Sequence, residues 1–273
     1  MMKNKKIMLI AVLLIASIFT MNTMNTMNVF NVTVTAQENS KLSANKNYNW
    51  YFKPVSDNKQ PDFDLDLEEL KQYGAYALGS KDDKVIYLTF DFGFENGSVK
   101  KCLDALNANE VKGAFFILDY VIKKNTDLIK EIAETGHIVA NHTMKHKNMC
   151  KITDFEQYEK ELSGLEKLYE EITGYKMAKY FRPPEGKFTQ QNLQYNQKLG
   201  YKTIFWSVAY KDWDNENQPD AAEAVKLILK RTHNGAVILL HPTSNTNAAI
   251  LDTLIKEWKK LGYRFGTLDE LTA

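Results

Sequence analysis

The chain has 273 residues, of which 44% are hydrophobic and 25% are charged, as in an ordinary globular domain. Its 35 basic residues nearly balance 34 acidic ones. Residues 1–36 contain three lysines and no acid, so without them 32 basic residues face 34 acidic ones, a formal charge of −2. This balance excludes a protein that binds nucleic acid mainly through its charge.

The N-terminus has the pattern of a secretory signal. Three lysines in MMKNKK precede the apolar residues 7–19, a run shorter than the about 20 residues that span a bilayer. The small residues VTA at 34–36 offer a cleavage position. We therefore predict a signal peptide over residues 1–36 and a secreted or cell-envelope location, with an uncleaved membrane anchor as the alternative.

Residues 37–84 have too little regular pattern to form a domain. They contain the segments NYNWYFKP, PDFDLDLEEL and YGAYALGS. We predict an N-terminal extension with one short helix near residues 65–72, packed against the main body.

From Val85 onward, short β-rich runs alternate with longer helical ones. The predicted strands are, in chain order, VIYLTFD, GAFFIL, HIVANH, YFRPP, KTIFWSV, AVILLH and YRFG. GAFFIL and AVILLH are apolar on both faces, as buried parallel strands are. Strands that alternate with helices predict βαβ units. About seven such repeats favour an α/β barrel over an open sheet, so we assign residues 85–273 to one catalytic domain.

Polar residues follow five of the predicted strands. In α/β barrels the chemistry gathers where the strands end and the βα loops begin. The sequence therefore predicts that these side chains share one rim; they are Asp91, His142, Arg182, Asp212 and His241.

The histidines divide into two groups. His142 and His146 are spaced i, i+4, which on a helical turn would present both imidazoles to one metal ion. The spacing alone is more typical of surface or capping histidines, but His142 directly follows an apolar strand. His241 also ends a strand, where it could be a core or a rim residue. We assign His137 and His233 to structural positions.

Four further side chains have two interpretations each. Arg182 could be a surface arginine or a partner that keeps Asp91 ionised. Trp213, next to Asp212, could belong to the core or form a platform for a sugar. Cys102 and Cys150 could form a disulfide in a secreted chain or be two small buried side chains, and we favour the second interpretation.

In chain order, TFDFG, HTMKH, RPPEG, DW and LLH resemble the five motifs of the polysaccharide deacetylases, the NodB-like carbohydrate esterases. The resemblance covers roughly residues 85–271 and implies a distorted (β/α) barrel of the NodB type. The ENG, FWSVAYKDW, NWYFKP and YGAYALG segments are most similar to the delta-lactam-forming de-N-acetylases of spore cortex peptidoglycan.

The resemblance implies catalytic roles for four residues. Asp91 corresponds to the general base that activates the attacking water, and Arg182 to the residue that tethers this base. Asp212 corresponds to the acid that orients the catalytic histidine. His241 corresponds to the general acid that protonates the leaving amine.

The resemblance also implies a metal site and an acetyl pocket. His142 and His146 correspond to metal ligands, with zinc as the default divalent ion. Trp213 and Leu239 correspond to walls of the pocket for the acetyl methyl, and Phe92 is placed among the substrate-binding residues.

Phe92 is the departure from the family pattern, because an aspartate that serves as the third metal ligand usually stands there. Three outcomes remain open. The enzyme could work with a weakly held ion, Glu95 could replace the missing carboxylate, or the chain could be an inactive relative that binds glycan.

The resulting hypothesis is a secreted, metal-dependent hydrolase that deacetylates N-acetylmuramic acid in peptidoglycan. An N-acetylglucosamine deacetylase is the alternative within the family. A glycosidase using Asp91 and Asp212 is the alternative outside it, but it leaves the histidines unexplained. We expect a monomer that acts on glycan strands and binds no nucleic acid, with a membrane tether only if the signal is uncleaved.

Overall fold

The computed structural model describes residues 41–44, 46–55 and 57–273. The predicted signal peptide at residues 1–36 lies outside the described residues. Within them, no helix is both long and apolar enough to cross a bilayer.

The described chain alternates strands and helices from residue 85 to its end, as predicted. The strands are β1 Tyr48–Asn49, β2 Phe52–Lys53, β3 Asp62–Phe63, β4 Ala75–Tyr76, β5 Val85–Phe92, β6 Ala114–Ile117, β7 Ile138–Asn141, β8 Tyr180–Phe181, β9 Lys187–Phe188, β10 Lys202–Ile204, β11 Ala236–Leu240 and β12 Arg264–Phe265. The helices are α1 Leu67–Gln72, α2 Ser98–Ala108, α3 Asp119–Lys124, α4 Thr126–Glu134, α5 Phe155–Thr173, α6 Gln190–Lys198, α7 Ala221–Arg231, α8 Asn245–Lys260 and α9 Leu268–Leu271. Short 3₁₀ turns cover Met149–Lys151 and Pro184–Gly186.

An eight-stranded parallel sheet forms the centre of the fold. Its order is β11-β5-β6-β7-β8-β10-β4, with β12 also beside β5. Single bridges join the two sides of the curled sheet, where Val208 pairs with Ile238 and Leu78 pairs with Ala236. The distorted α/β barrel that the strand pattern and the family motifs predicted is therefore confirmed.

Alternation along β5 sends Asp91 and Phe92 to opposite sides of the sheet. The odd-numbered row faces the barrel interior, where Val85 and Tyr87 pack with residues of the other strands. The even-numbered row faces the helices and ends at Phe92, which is 4% exposed. The Phe92 ring meets Phe115 edge to face, with 6.0 Å between the ring centroids. Phe92 thus belongs to the layer between sheet and helices, although its edge also reaches the cleft described below.

The extension contributes to the barrel. Helix α1 begins after Asp66, whose carboxylate accepts the N–H groups of Glu68 and Glu69, close to the predicted position. Strand β4 then adds to the edge of the main sheet beside β10. Aromatic and aliphatic residues of the extension share a separate core cluster with Phe188, Leu193 and Phe205.

Both cysteines are free, as interpreted from the sequence. Cys102 lies buried in α2, and burial raises the pKa of its thiol to about 12. Cys150 is half-buried in the first 3₁₀ turn.

His137 lies at the start of β7, at the end of the barrel opposite the strand C-termini. Its Nδ1 accepts the N–H of Gly113 at 3.0 Å, and its Nε2 lies 3.0 Å from Oδ1 of Asn107. Burial, with a smaller effect of Lys112, lowers the pKa of His137 to about 4. The imidazole is therefore neutral at pH 7 and has a structural role.

We expect His137 to make the protein less stable in weak acid. Between its folded pKa of about 4 and its ordinary value of 6.5, the unfolded chain binds the proton and the folded chain does not. Stability therefore falls as the pH drops from 7 to 5, by on the order of 2 kcal/mol from this residue. Urea unfolding at both pH values measures the loss. Between pH 7 and pH 5, the His137→Gln variant should lose about 2 kcal/mol less stability than the wild type. An equal loss of stability in the variant would contradict the prediction.

Candidate active site

An open cleft of about 700 Å³ lies at the C-terminal ends of the barrel strands. Seven of the residues singled out in the sequence line it: Asp91, Phe92, His142, His146, Trp213, Leu239 and His241. Two others, Arg182 and Asp212, lie buried behind the surface of the cleft. Trp213 is 62% exposed and so stands at the rim, where it can meet a ligand.

Asp91 and Arg182 form a buried ion pair. Nη1 of Arg182 donates to Oδ1 of Asp91 at 2.7 Å, and Nη2 donates to Oγ1 of Thr89 at 2.8 Å. Nε of Arg182 donates to the carbonyl of Ile204 at 2.9 Å. Burial alone would raise the pKa of Asp91, but the Arg182 guanidinium, together with His142 and His241, outweighs burial and holds that pKa below its ordinary value. Asp91 is therefore an ionised carboxylate aimed into the cleft.

The planar guanidinium of Arg182 packs against two aromatic rings. Its carbon is 4.3 Å from the ring centre of Phe116 and 5.6 Å from that of Trp206. Arg182 follows β8, and Pro183 and Pro184 stiffen the chain behind it. This packing restricts the rotation of Arg182 and, through the ion pair, that of Asp91.

His241 and Asp212 form the second charged pair of the cleft. Nδ1 of His241 lies 2.7 Å from Oδ1 of Asp212, and the backbone N–H of His241 donates to Oδ2 at 2.8 Å. Burial alone would lower the pKa of His241, but the hydrogen bond and charge of Asp212 outweigh it and raise that pKa above its ordinary value. This favours the protonated imidazole, which can donate a proton into the cleft.

Asn247 and Tyr210 complete this pair, and the sequence analysis missed both. Nδ2 of Asn247 donates to Oδ2 of Asp212 at 2.7 Å and to the carbonyl of His241 at 3.0 Å. The Tyr210 hydroxyl donates to Oδ1 of Asn247 at 2.5 Å. The sequence signal for Asn247 was its position, since it lies in the first turn of the helix that follows His241.

His142 and His146 lie in a loop, where their imidazoles approach each other. The helical turn that we predicted for them is therefore wrong. Thr143 and His146 have left-handed backbone conformations, with φ of 72° and 55°, which fold the chain back. The two imidazole centres lie 5.0 Å apart. Nδ1 of His142 lies 2.8 Å from the carbonyl of Arg182 and donates to it, which leaves the lone pair of Nε2 free.

The two imidazoles suit a divalent cation. Burial lowers the pKa of His142 to about 4 and lowers that of His146, so both are neutral at pH 7, as metal ligands must be. The carbonyl of Arg182 orients His142, as a second-shell partner does at metal sites. His142 and His146 would therefore hold the ion, which would act as a Lewis acid for an amide carbonyl.

No third protein ligand accompanies them in the described part of the chain, where no three His, Cys, Asp or Glu side chains are grouped closely enough for a metal. Glu95 does not line the cleft, and its Oε1 accepts the N–H of Gly97 at 2.6 Å. Glu95 therefore does not stand with the two histidines in this structure, which gives no support to the idea that it replaces the missing aspartate. Glu185 does line the cleft, but it is paired with Lys187.

Replacing Phe92 with aspartate is expected to strengthen metal binding and weaken the fold. A carboxylate at this position would add a charged ligand beside two neutral ones. Loss of the ring against Phe115 would cost about 3–5 kcal/mol of stability. Calorimetric titration with Zn²⁺ and thermal unfolding measure the two effects. Phe92→Asn is the matched control because it loses the same ring; equal affinity in both variants would contradict the prediction.

Comparison with known proteins agrees with this geometry. Residues 78–204 match the family model described as polysaccharide deacetylase. The chain is 40% identical over 228 residues to the peptidoglycan-N-acetylmuramic acid deacetylase PdaA of Bacillus subtilis, covering 83% of this chain and 86% of that protein. It is 35% identical over 192 residues to the peptidoglycan-N-acetylglucosamine deacetylase PgdA of Listeria monocytogenes, covering 70% of this chain and 40% of that protein.

A solved structure extends the comparison. The Bacillus subtilis PdaA structure, described as a family 4 carbohydrate esterase, superposes with a TM-score of 0.80 at 38% identity. The match covers 84% of this chain and 98% of that one. Fold, motif order and overall identity therefore agree: the chain belongs to the polysaccharide deacetylase family, the family 4 carbohydrate esterases, and is a hydrolase of amide bonds.

Proposed function

We propose that this protein is a secreted, metal-dependent peptidoglycan deacetylase that removes acetate from N-acetylmuramic acid. The observation that carries the proposal is the pairing of a tethered base, Asp91 with Arg182, and a tethered acid, His241 with Asp212, on one cleft. A protein that only binds glycan has no use for both.

The reaction follows from the placement of these groups. The ionised Asp91 accepts a proton from the water that attacks the acetyl carbon. His241, kept protonated by Asp212, donates a proton to the amine as the carbon–nitrogen bond breaks. Acetate leaves, and the sugar retains a free amine. Leu239 and Trp213 line the same cleft and offer an apolar wall for the acetyl methyl.

We favour muramic acid as the substrate because the chain is 40% identical to the muramic acid deacetylase of Bacillus subtilis over most of both chains. Its lactyl carboxyl lies next to the amine that deacetylation frees, so the product can close to a delta-lactam, as in spore cortex. The relation to a glucosamine deacetylase supports N-acetylglucosamine as the second candidate. The signal pattern at residues 1–36 supports secretion.

The glycosidase alternative fits the site poorly. Asp212 is 1% exposed, and its carboxylate accepts hydrogen bonds from His241 and Asn247. Such a carboxylate cannot flank a glycosidic bond with Asp91.

Acetate release tests the proposal. The purified full chain is incubated with glycan strands that have been stripped of peptide, with chelator, and with Zn²⁺ or another divalent ion added back. We expect acetate without shortening of the glycan, loss of release with chelator and recovery with metal. Parallel assays on muramic acid and glucosamine oligomers decide between the two sugars. Shortened glycans without acetate would support the glycosidase, and no product with any metal would support a glycan-binding protein.

A further inference from the structure

Trp50 belongs to the extension, well before residue 78 where the family match begins. It lies between β1 and β2 and is 7% exposed. The burial of this bulky indole is explained by its contacts with the main body of the protein. Its contacts lie on two walls of the catalytic cleft.

The first wall is the loop that follows Arg182. Strand β1 pairs antiparallel with β9, and the N–H of Trp50 donates to the carbonyl of Gly186 at 2.8 Å. Gly186 has φ of +66°, and a Cβ there would lie 2.8 Å from the Cβ of Trp50 and 2.9 Å from the Trp206 ring. The loop therefore presses directly against both tryptophans.

The second wall is the segment after β10. The indole of Trp50 stacks on Phe205, with 4.3 Å between ring centroids and 15° between planes. Its Nε1 donates to the carbonyl of Trp206 at 2.8 Å. Trp206 lines the cleft.

Arg182 depends on the same segment. The carbonyls of Ile204 and Phe205 accept from Nε and Nη2 of Arg182 at 2.9 and 3.3 Å. A shift of this backbone would therefore move the guanidinium and, with it, the carboxylate of Asp91.

We propose that Trp50 is a positioning residue, which joins the loop at Gly186 to the segment at Phe205 and Trp206 and so keeps the Arg182–Asp91 pair aimed. The inference rests on the proposed deacetylase activity for its kinetic readout. The catalytic unit would then begin well before the segment that the family motifs cover.

The test compares three variants of the full chain. Trp50→Ala should lower kcat for acetate release by about 10²-fold with a smaller change in KM, since misplacement of about 1 Å can cost that much. Trp50→Phe keeps a ring that can stack on Phe205 but loses the bond to Trp206 and part of the indole ring, so it should recover most of kcat. Tyr51→Ala is the matched control, because Tyr51 is 57% exposed; it should behave like wild type.

Hydrogen exchange provides a readout that does not need activity. In Trp50→Ala, the amides of Arg182, of residues 185–188 and of residues 204–208 should exchange faster, while those of β5 to β7 keep their protection. Wild-type kcat and unchanged exchange at these segments would overturn the inference. Uniformly faster exchange, with wild-type kcat per folded molecule, would also overturn it. An inactive wild-type protein would refute the proposed function, while the exchange data would still decide on Trp50.

Discussion

Replacing Asp91 with asparagine is expected to lower the rate of acetate release by about 10²- to 10⁴-fold. The amide oxygen can still accept from Nη1 of Arg182, which lies 2.7 Å from the carboxylate, but it cannot take a proton from water. The variant should fold with a reduced melting temperature. Its loss stays below the about 3–5 kcal/mol of a fully broken buried pair, because one hydrogen bond survives.

Asp119→Asn is the matched control. Asp119 is 1% exposed and is paired with Lys123 at 2.9 Å and Lys145 at 2.7 Å, yet it does not line the cleft. It should lose stability without the about 10²- to 10⁴-fold loss of rate expected for Asp91→Asn, although Lys145 lies in the loop of His142 and His146. Circular dichroism and thermal unfolding establish folding, and acetate release measures the rate. An active Asp91→Asn protein would mean that another group is the base.

Replacing His142 with alanine is expected to abolish metal uptake and activity together. Nε2 of His142 lies 3.7 Å from Oδ2 of Asp91, so the proposed ligand stands beside the proposed base. This change leaves one of the two neutral imidazoles. In the part of the chain that the structure describes, no three His, Cys, Asp or Glu side chains are grouped so that another could replace it. Zn²⁺ content after dialysis and acetate release at saturating substrate measure the two losses.

His137→Ala controls for the loss of a buried imidazole. It lies at the opposite end of the barrel and should keep metal content and kcat while losing stability. If His142→Ala released acetate at the wild-type rate, the divalent ion would have no part in the reaction.

The fold was predictable because its signals are local. Apolar runs such as AVILLH and helical segments between them specify a buried parallel strand and its crossover without knowledge of distant residues. The strand ends then placed Asp91, His142 and His241 on one rim, and the structure brings them to one cleft. The roles assigned to these residues through the family motifs stay predictions until the variants are measured.

The remainder of the site depends on contacts that no local pattern records. Trp50 and Phe205 are far apart in the chain, so the sequence around either residue does not predict that their rings stack. The loop of His142 and His146 folds back through left-handed residues, whereas the i, i+4 spacing favoured a helix. Glu95 was a candidate ligand because it follows Asp91 closely in the sequence. In the structure, one of its carboxylate oxygens accepts the N–H of Gly97 in a local turn.

The complete burial of Arg182 has a consequence for the response of the protein to salt. Its side chain is 0% exposed, and that of its partner Asp91 is 7% exposed. Dissolved ions screen charges over a Debye length of about 8–10 Å in water, but they screen a pair within the protein far less. The ionised state of the base is therefore insulated from ionic strength. If the protein is secreted, as we propose, this pair would keep the Asp91 carboxylate charged across the range of salt concentrations outside the cell.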